Sequence, residues 1–308
     1  CDRIVQEVVA WLFITKALII LEAFMKNKKI IWLMLISIYL RLMQCTNIRH
    51  NNMEDTELLQ WEYDAKGYAI FKQAIPQLLC KEILEKIHHF EYSVGTLSEK
   101  QRNSHVFIHE LSDTQRDGID ASLCKDMLYI IGDICEYFPE IIQIFIHPSI
   151  AHITNVLLGT DNPVYHFSNI TIKSAHYGPQ SGLHRDYPNK YICPMTSHYM
   201  RLILCLSEGN KHNGGLGFIC GSHRLEDKES LQGLRTQYSY DTLEYPECEQ
   251  GDIIAVHPKV IHGGMSNRSD IDRYYCVSQW GMPTDDFLYY TEEKFTGISF
   301  TELSAMAQ

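Results

Sequence analysis

No two cysteines in this sequence stand in a C-x-x-C pair, although ten are present, at positions 1, 45, 80, 124, 135, 193, 205, 220, 248 and 276. Most lie inside apolar runs such as LILCLS and YYCVSQW, the usage of a reducing compartment in which thiols serve as small hydrophobes. Basic side chains are also scarce. The first 52 residues hold seven of the 27 Lys/Arg and three of the 38 Asp/Glu, which leaves 20 basic against 35 acidic side chains from Met53 onward. A nucleic-acid partner is not expected of such a chain, because phosphate binding needs a basic surface. Long apolar runs are missing too. WLFITKALIILEAF (11–24) and IIWLMLISIYLRLM (30–43) each fall short of the about 20 apolar residues that span a bilayer, and the first contains Lys16 and Glu22. No internal repeat is evident.

Residues 1–52 form an apolar head unlike the remainder. Two origins are expected for it: an upstream translation artefact ahead of a start at Met53, or a signal- or anchor-like segment read from Met25, although no small-x-small cleavage site follows. Membrane anchoring or export through the head is the lesser expectation, and no membrane partner is required by the rest. The acidic, cysteine-scattered body fits the cytoplasm.

What is present is enough for a large core: 308 residues, 45% apolar and 21% charged. Residues 55–160 read as mostly helical. QLLCKEILEKIHHFEY places apolar residues at 78, 79, 83, 84, 87 and 90, close to a 3.6-residue period, and CKDMLYIIGDICEYFPEIIQIFI continues in the same style. After about residue 162 short β-branched and aromatic runs (VYHFSNITIK, YMRLILCLS, LGFICG, DIIAVHP, DRYYCVSQW) are broken by Gly, Asn and Pro, as in an antiparallel sandwich or barrel. Asn213-Gly214 between two of these runs predicts a hairpin turn.

His184-x-Asp186 lies in the β-rich half. On a strand, residues two apart share a face, so the pair can converge on one ion. His89-x-Glu91 has the same spacing but sits in a helical segment, where positions two apart diverge. One carboxylate and two imidazoles form the facial triad of non-haem iron(II) oxygenases. The downstream imidazoles are His198, His212, His223, His257 and His262. Of these His262 follows an apolar strand and precedes two glycines, whereas His257 is better suited to packing beside the site. Arg273, eleven residues further on, is suited to hold a carboxylate bidentately, unless it pairs with Asp270 or Asp272.

LHRDYP, NGGLGFICGSHR (213–224), GDIIAVHPKVIHGGMSNRSDIDR (251–273) and YYCVSQW, in this order, resemble the phytanoyl-CoA dioxygenase family of iron(II)/2-oxoglutarate oxygenases, and YDAKGYAIFKQAIPQLLCKEILEKI (63–87) resembles its N-terminal strand and helix. The resemblance covers about residues 60–282. It implies an α+β fold with a double-stranded β-helix (jelly roll, cupin-like) core at about 162–282 and N-terminal helices packed on it, within a dioxygenase domain of residues 53–308.

The resemblance also implies His184, Asp186 and His262 as ligands of Fe(II), and Arg273, supplemented by Lys173, as the site for 2-oxoglutarate. With O2 as the other cosubstrate and ascorbate as a candidate reductant, the expected reaction hydroxylates an unactivated C–H bond of a small molecule and releases succinate and CO2. A carboxylate at 186 is at odds with the halogenases of the superfamily, in which a small residue stands there. Arg185 and Gly264 depart from the family's frequent Gln and Ser. The C-terminal SAMAQ carries no peroxisomal address. Two competing readings are a metal-binding cupin-like protein that does not use 2-oxoglutarate, and a pseudoenzyme that kept the fold. No motif in the sequence names the substrate.

Overall fold

Twelve short strands and a set of helices are seen in a computed structural model, which describes residues 56–93, 96–98, 106–108, 128–225, 233, 236–283 and 286–307. The apolar head expected over 1–52 lies outside these residues. The strands are β1 (Tyr68–Phe71), β2 (Val106–Ile108), β3 (Leu128–Gly132), β4 (Val164–Lys173), β5 (Ser181–His184), β6 (Cys193–Pro194), β7 (Tyr199–Cys205), β8 (Leu216–Phe218), β9 (Ile253–Val256), β10 (His262–Gly264), β11 (Arg273–Gly281) and β12 (Phe287–Tyr289). An antiparallel main sheet runs β1-β9-β7-β11-β4-β3-β2, a second sheet runs β5-β10-β8, and β12 pairs with β6 in a ribbon. With helices on the outer face of the main sheet, this is the expected α+β jelly roll.

Period-two alternation sorts the main sheet's side chains between two cores. On β11, Tyr274, Cys276 and Trp280 join Ile170 and Ile172 of β4, Leu202 and Leu204 of β7, and the helix residues Cys80, Ile83, Ile87, Ile150 and Ile153 in the outer core. Tyr275 and Val277 point the other way, into an inner core with Tyr68, Ile203, Phe218, Ile254 and Val256. Every residue of β11 is therefore buried, and apolar side chains stand on both faces of the strand, so its sequence does not alternate between apolar and polar. The helix Gln77–Ser93 buries Cys80, Ile83 and Ile87, whereas Leu78 is exposed. The helix Pro148–Leu158 starts on a proline after His147, whose ring accepts a hydrogen bond from Ser149 N, and ends at Gly159 in the left-handed region.

Two local expectations are corrected. The stretch 55–160, read as mostly helical, also holds β1, β2 and β3, which extend the main sheet at both edges. LYIIG had continued a helical style. Gly132 and the left-handed Asp133 (φ 44°) end it after five residues, however, and Ile130 and Ile131 pair with Thr171 and Ile170 of β4. The Asn213-Gly214 turn does not close a hairpin. β7 pairs with β9 and β11, and β8 with β10, so the turn carries the chain from one sheet to the other. Among the described residues no single helix is long and apolar enough to cross a membrane.

Among the described residues Trp280 is the largest fully buried side chain, and it packs in the outer core. It stands edge-on to Tyr165 (5.4 Å) and Phe145 (6.3 Å), and its Nε1 donates to Ser278 Oγ at 2.9 Å. Trp280→Ala is expected to lower stability by about 3–5 kcal/mol in urea denaturation, through the cavity it leaves. Tyr92→Ala, at a position 90% exposed, should stay within about 0.5 kcal/mol of the parent.

Candidate metal centre

His262 opens β10 and is the direct cross-strand partner of His184, the last residue of β5. Sheet pairing thus brings together two imidazoles 78 positions apart, with ring centroids 4.3 Å from each other. Strand alternation does not place Asp186, because β5 ends at His184. A turn does so: the amides of Asp186 and Tyr187 both donate to Pro258 O (2.8 and 2.9 Å), and the Asp186 carbonyl accepts from Tyr199 Oη and Asn189 Nδ2, each at 2.9 Å. The carboxylate then lies 3.6 Å from His184 Nε2 through Oδ1 and 3.7 Å from His262 Nε2 through Oδ2. One ligand atom from each of the three residues lies within 4.8 Å of the other two.

The protonation pattern leaves this point without a donor. His184 Nδ1 faces Gly182 O at 2.8 Å and His262 Nδ1 faces Val260 O at 3.0 Å. A carbonyl only accepts, so each Nδ1 carries a proton, and in a neutral ring so oriented Nε2 is the atom with the lone pair. Burial, with His184 beside it, pushes the His262 pKa down to about 4, so its ring is neutral at physiological pH, as a metal ligand must be. Burial opposes the charged form of Asp186, but the Arg201 guanidinium, then His262 and His184, hold its carboxyl below the ordinary range. Asp186 Oδ2 is buried with no hydrogen-bond partner. A buried carboxylate oxygen and two lone pairs facing one point form a costly arrangement without a cation. Two donors each about 2.0–2.2 Å from one ion lie roughly 3 Å or slightly more apart, so the donor set fits a metal.

A second group is built from cations. Arg273 opens β11 directly opposite Lys173, which closes β4. Both are buried, at 3% and 1% exposure, and neither pairs with a carboxylate among the described residues. Like charges directly opposite each other on a sheet are destabilising. Burial, and then Arg273, press the Lys173 pKa well below its ordinary value; burial also lowers that of Arg273. Arg273 stacks its guanidinium over the Tyr275 ring at 4.0 Å and leaves Nε without a hydrogen-bond partner. Asp270 pairs with His176 instead, and Asp272 accepts from Ala175 N and Tyr274 Oη.

Lys173 threads between glycines. A Cβ at Gly178 would stand 2.6 Å from Lys173 Cβ, one at Gly214 2.7 Å from Cδ, and one at Gly264 3.0 Å from Nζ, which donates to Met265 O at 2.6 Å. Glycine at 264 accordingly makes room for the lysine head.

The remaining candidates lie elsewhere. His257 packs against His223 (4.9 Å between centroids) and Tyr63 (5.8 Å) and is not among the converging donors. His89 is exposed, and Glu91 accepts from Tyr274 Oη at 2.9 Å. Arg185 reaches Ser222 O at 3.2 Å. Sequence reasoning passed over Arg201, whose Nη1 lies 2.5 Å from Asp186 Oδ1. The signal was an arginine inside the apolar run YMRLILCLS, on the alternation shared with Ile203 and Cys205.

Two imidazoles and a carboxylate gathered in a jelly roll are the donor set of a non-haem metal centre. The chain belongs to the phytanoyl-CoA dioxygenase family, whose sequence model, Phytanoyl-CoA dioxygenase (PhyH), matches residues 63–274. Solved structures share the fold. AviO1 from Streptomyces viridochromogenes Tue57 superposes with a TM-score of 0.59 at 17% identity, over 75% of this chain and 96% of that one. The non-heme alpha ketoglutarate dependent carbocyclase SnoK from nogalamycin biosynthesis gives 0.58 at 14%, over 74% and 85%. EctD from S. alaskensis with bound Fe gives 0.58 at 18%, over 76% and 80%. A sequence search of curated proteins finds no match.

Gly178→Ala is expected to destabilise the protein by about 1–3 kcal/mol, because the new Cβ must displace the Lys173 backbone. A thermal melt checks this. At Gly159, where nothing lies within 4 Å of an added Cβ but φ is +72°, alanine should cost only about 1 kcal/mol.

Proposed function

We propose that residues 53–308 form an Fe(II)- and 2-oxoglutarate-dependent dioxygenase that hydroxylates an unactivated C–H bond of a small molecule, releasing succinate and CO2. The observation that carries this is the convergence of His184, His262 and Asp186, one ligand atom of each within 4.8 Å of the others, with both Nδ1 atoms turned to carbonyls and Asp186 Oδ2 buried without a hydrogen-bond partner. Iron(II) held there by these three side chains would supply the oxidising chemistry, with O2 and 2-oxoglutarate as cosubstrates.

The protein's part is placement. Gly182 O and Val260 O fix the two rings so that their Nε2 atoms face inward, and Pro258 O fixes the Asp186 turn. Arg273 and Lys173 are buried opposite each other with no carboxylate partner among the described residues, a setting that an anion would relieve; the distal carboxylate of 2-oxoglutarate matches the fork of Arg273. Tyr275, Val277 and Phe218 give the interior apolar walls that keep water from the reacting groups. Seven free cysteines among the described residues suit the cytoplasmic setting we propose.

Wild-type protein loaded anaerobically with Fe(II) should form succinate from 2-oxoglutarate when O2 is admitted, and Asp186→Ala should lose at least about 100-fold of that rate, since losing only a ligand's hydrogen-bond partner already costs about 10–100-fold. Absence of succinate from the wild type across a broad substrate panel would instead favour a cupin-like or inactive metal protein.

A further inference from the structure

We propose that Arg201 is a positioning residue which makes Asp186 a one-oxygen ligand and thereby sets the metal affinity of the centre. This role rests on the metal reading given above. The two carboxylate oxygens are not equivalent. Oδ1 receives the guanidinium of Arg201 at 2.5 Å, whereas Oδ2 is buried without a hydrogen-bond partner and lies 3.7 Å from His262 Nε2. A charge-assisted bond on one oxygen leaves the other as the free lone-pair donor.

Arg201 is itself held. It lies on β7 in one row with Gln279 of β11 and Phe167 of β4, because Gln279 is the cross-strand partner of both. Its Nε donates to Gln279 Oε1 at 3.4 Å, and its guanidinium carbon lies 5.2 Å from the Phe167 ring centroid. Gln279, fully buried, is anchored through Nε2 to Ile192 O at 3.1 Å and to His166 Nδ1 at 3.0 Å. The main-chain clamps on Asp186 thus place its carboxylate, and the Arg201 row decides which oxygen that carboxylate offers. Moving Arg201 away would leave a buried charge without its partner. A guanidinium that merely competed with the ion would be expected to cover both oxygens in its fork; this one covers Oδ1, which also lies 3.6 Å from His184 Nε2, and leaves Oδ2 facing His262.

The test uses Co(II) as the probe, titrated into the metal-free full chain and followed by its visible absorption in competition with a chelator. Compared with wild type, Arg201→Gln is expected to weaken Co(II) binding on the order of 10–100-fold, and Arg201→Lys, which keeps the charge but not the fork, to fall between the two. Asp186→Ala should also bind weakly. Arg201→Gln that is folded by circular dichroism, yet binds Co(II) as tightly as wild type or more tightly while Asp186→Ala does not, overturns the role of Arg201 and leaves the metal reading intact. A wild type that takes up no Co(II) overturns both. Should Arg201→Gln fail to fold, the crystal structure of the Co(II)-loaded wild type decides. One Asp186 oxygen on the metal, with Arg201 on the other, is expected; both oxygens on the metal, or Arg201 withdrawn, refutes the proposal.

Discussion

The centre depends on lone pairs brought together without protons. Two backbone carbonyls take the Nδ1 protons of His184 and His262, and Arg201 occupies one oxygen of Asp186, so everything that points inward is an acceptor. Such a set is unstable in an apolar interior unless a cation completes it, since each buried acceptor without a partner costs about 1–3 kcal/mol. The fold accepts that cost at the centre, and again at Arg273 Nε, which is buried without a hydrogen-bond partner.

β11 connects the parts. Its outward residues hold the helices through Trp280, its inward residues wall the interior through Tyr275 and Val277, and its first residue, Arg273, supplies half of a buried cation pair. Gln279 on the same inward face steadies Arg201, and through it Asp186. The cations and the acceptors are opposite imbalances within one jelly roll. In the function we propose, a metal ion would answer one and a dicarboxylate the other, and a ligand that chelates the ion while reaching Arg273 would answer both.

Much of this was legible in the chain. His184, His262 and Arg273 fall within sequence blocks whose order identifies the family, and the alternation of apolar runs after residue 162 announced the sheets. The failures have physical causes. LYIIG is too short and too evenly apolar to distinguish strand from helix, and what decides it is β4, some forty residues away. Asn213-Gly214 is a good turn, but turn chemistry does not say whether the flanking strands pair, and here they enter different sheets. Asp186 was placed by strand alternation, yet its position comes from a turn tied to Pro258. Arg201 was invisible because one charged residue in an apolar strand has meaning only once the inward face, and what lies across it, are known.

The central claim is that the converging acceptors and the buried cation pair serve one dicarboxylate bound to one metal. Its most direct test is anaerobic titration of Fe(II)-loaded protein with 2-oxoglutarate, followed by the visible charge-transfer absorption that appears when a 2-oxo acid chelates iron(II). The account predicts the band in wild type, its loss in His262→Ala, and a need for at least about tenfold more 2-oxoglutarate in Arg273→Gln, as a lost charge-assisted hydrogen bond implies. Iron-loaded wild type that shows no band, or an Arg273→Gln variant that titrates like wild type, would contradict it.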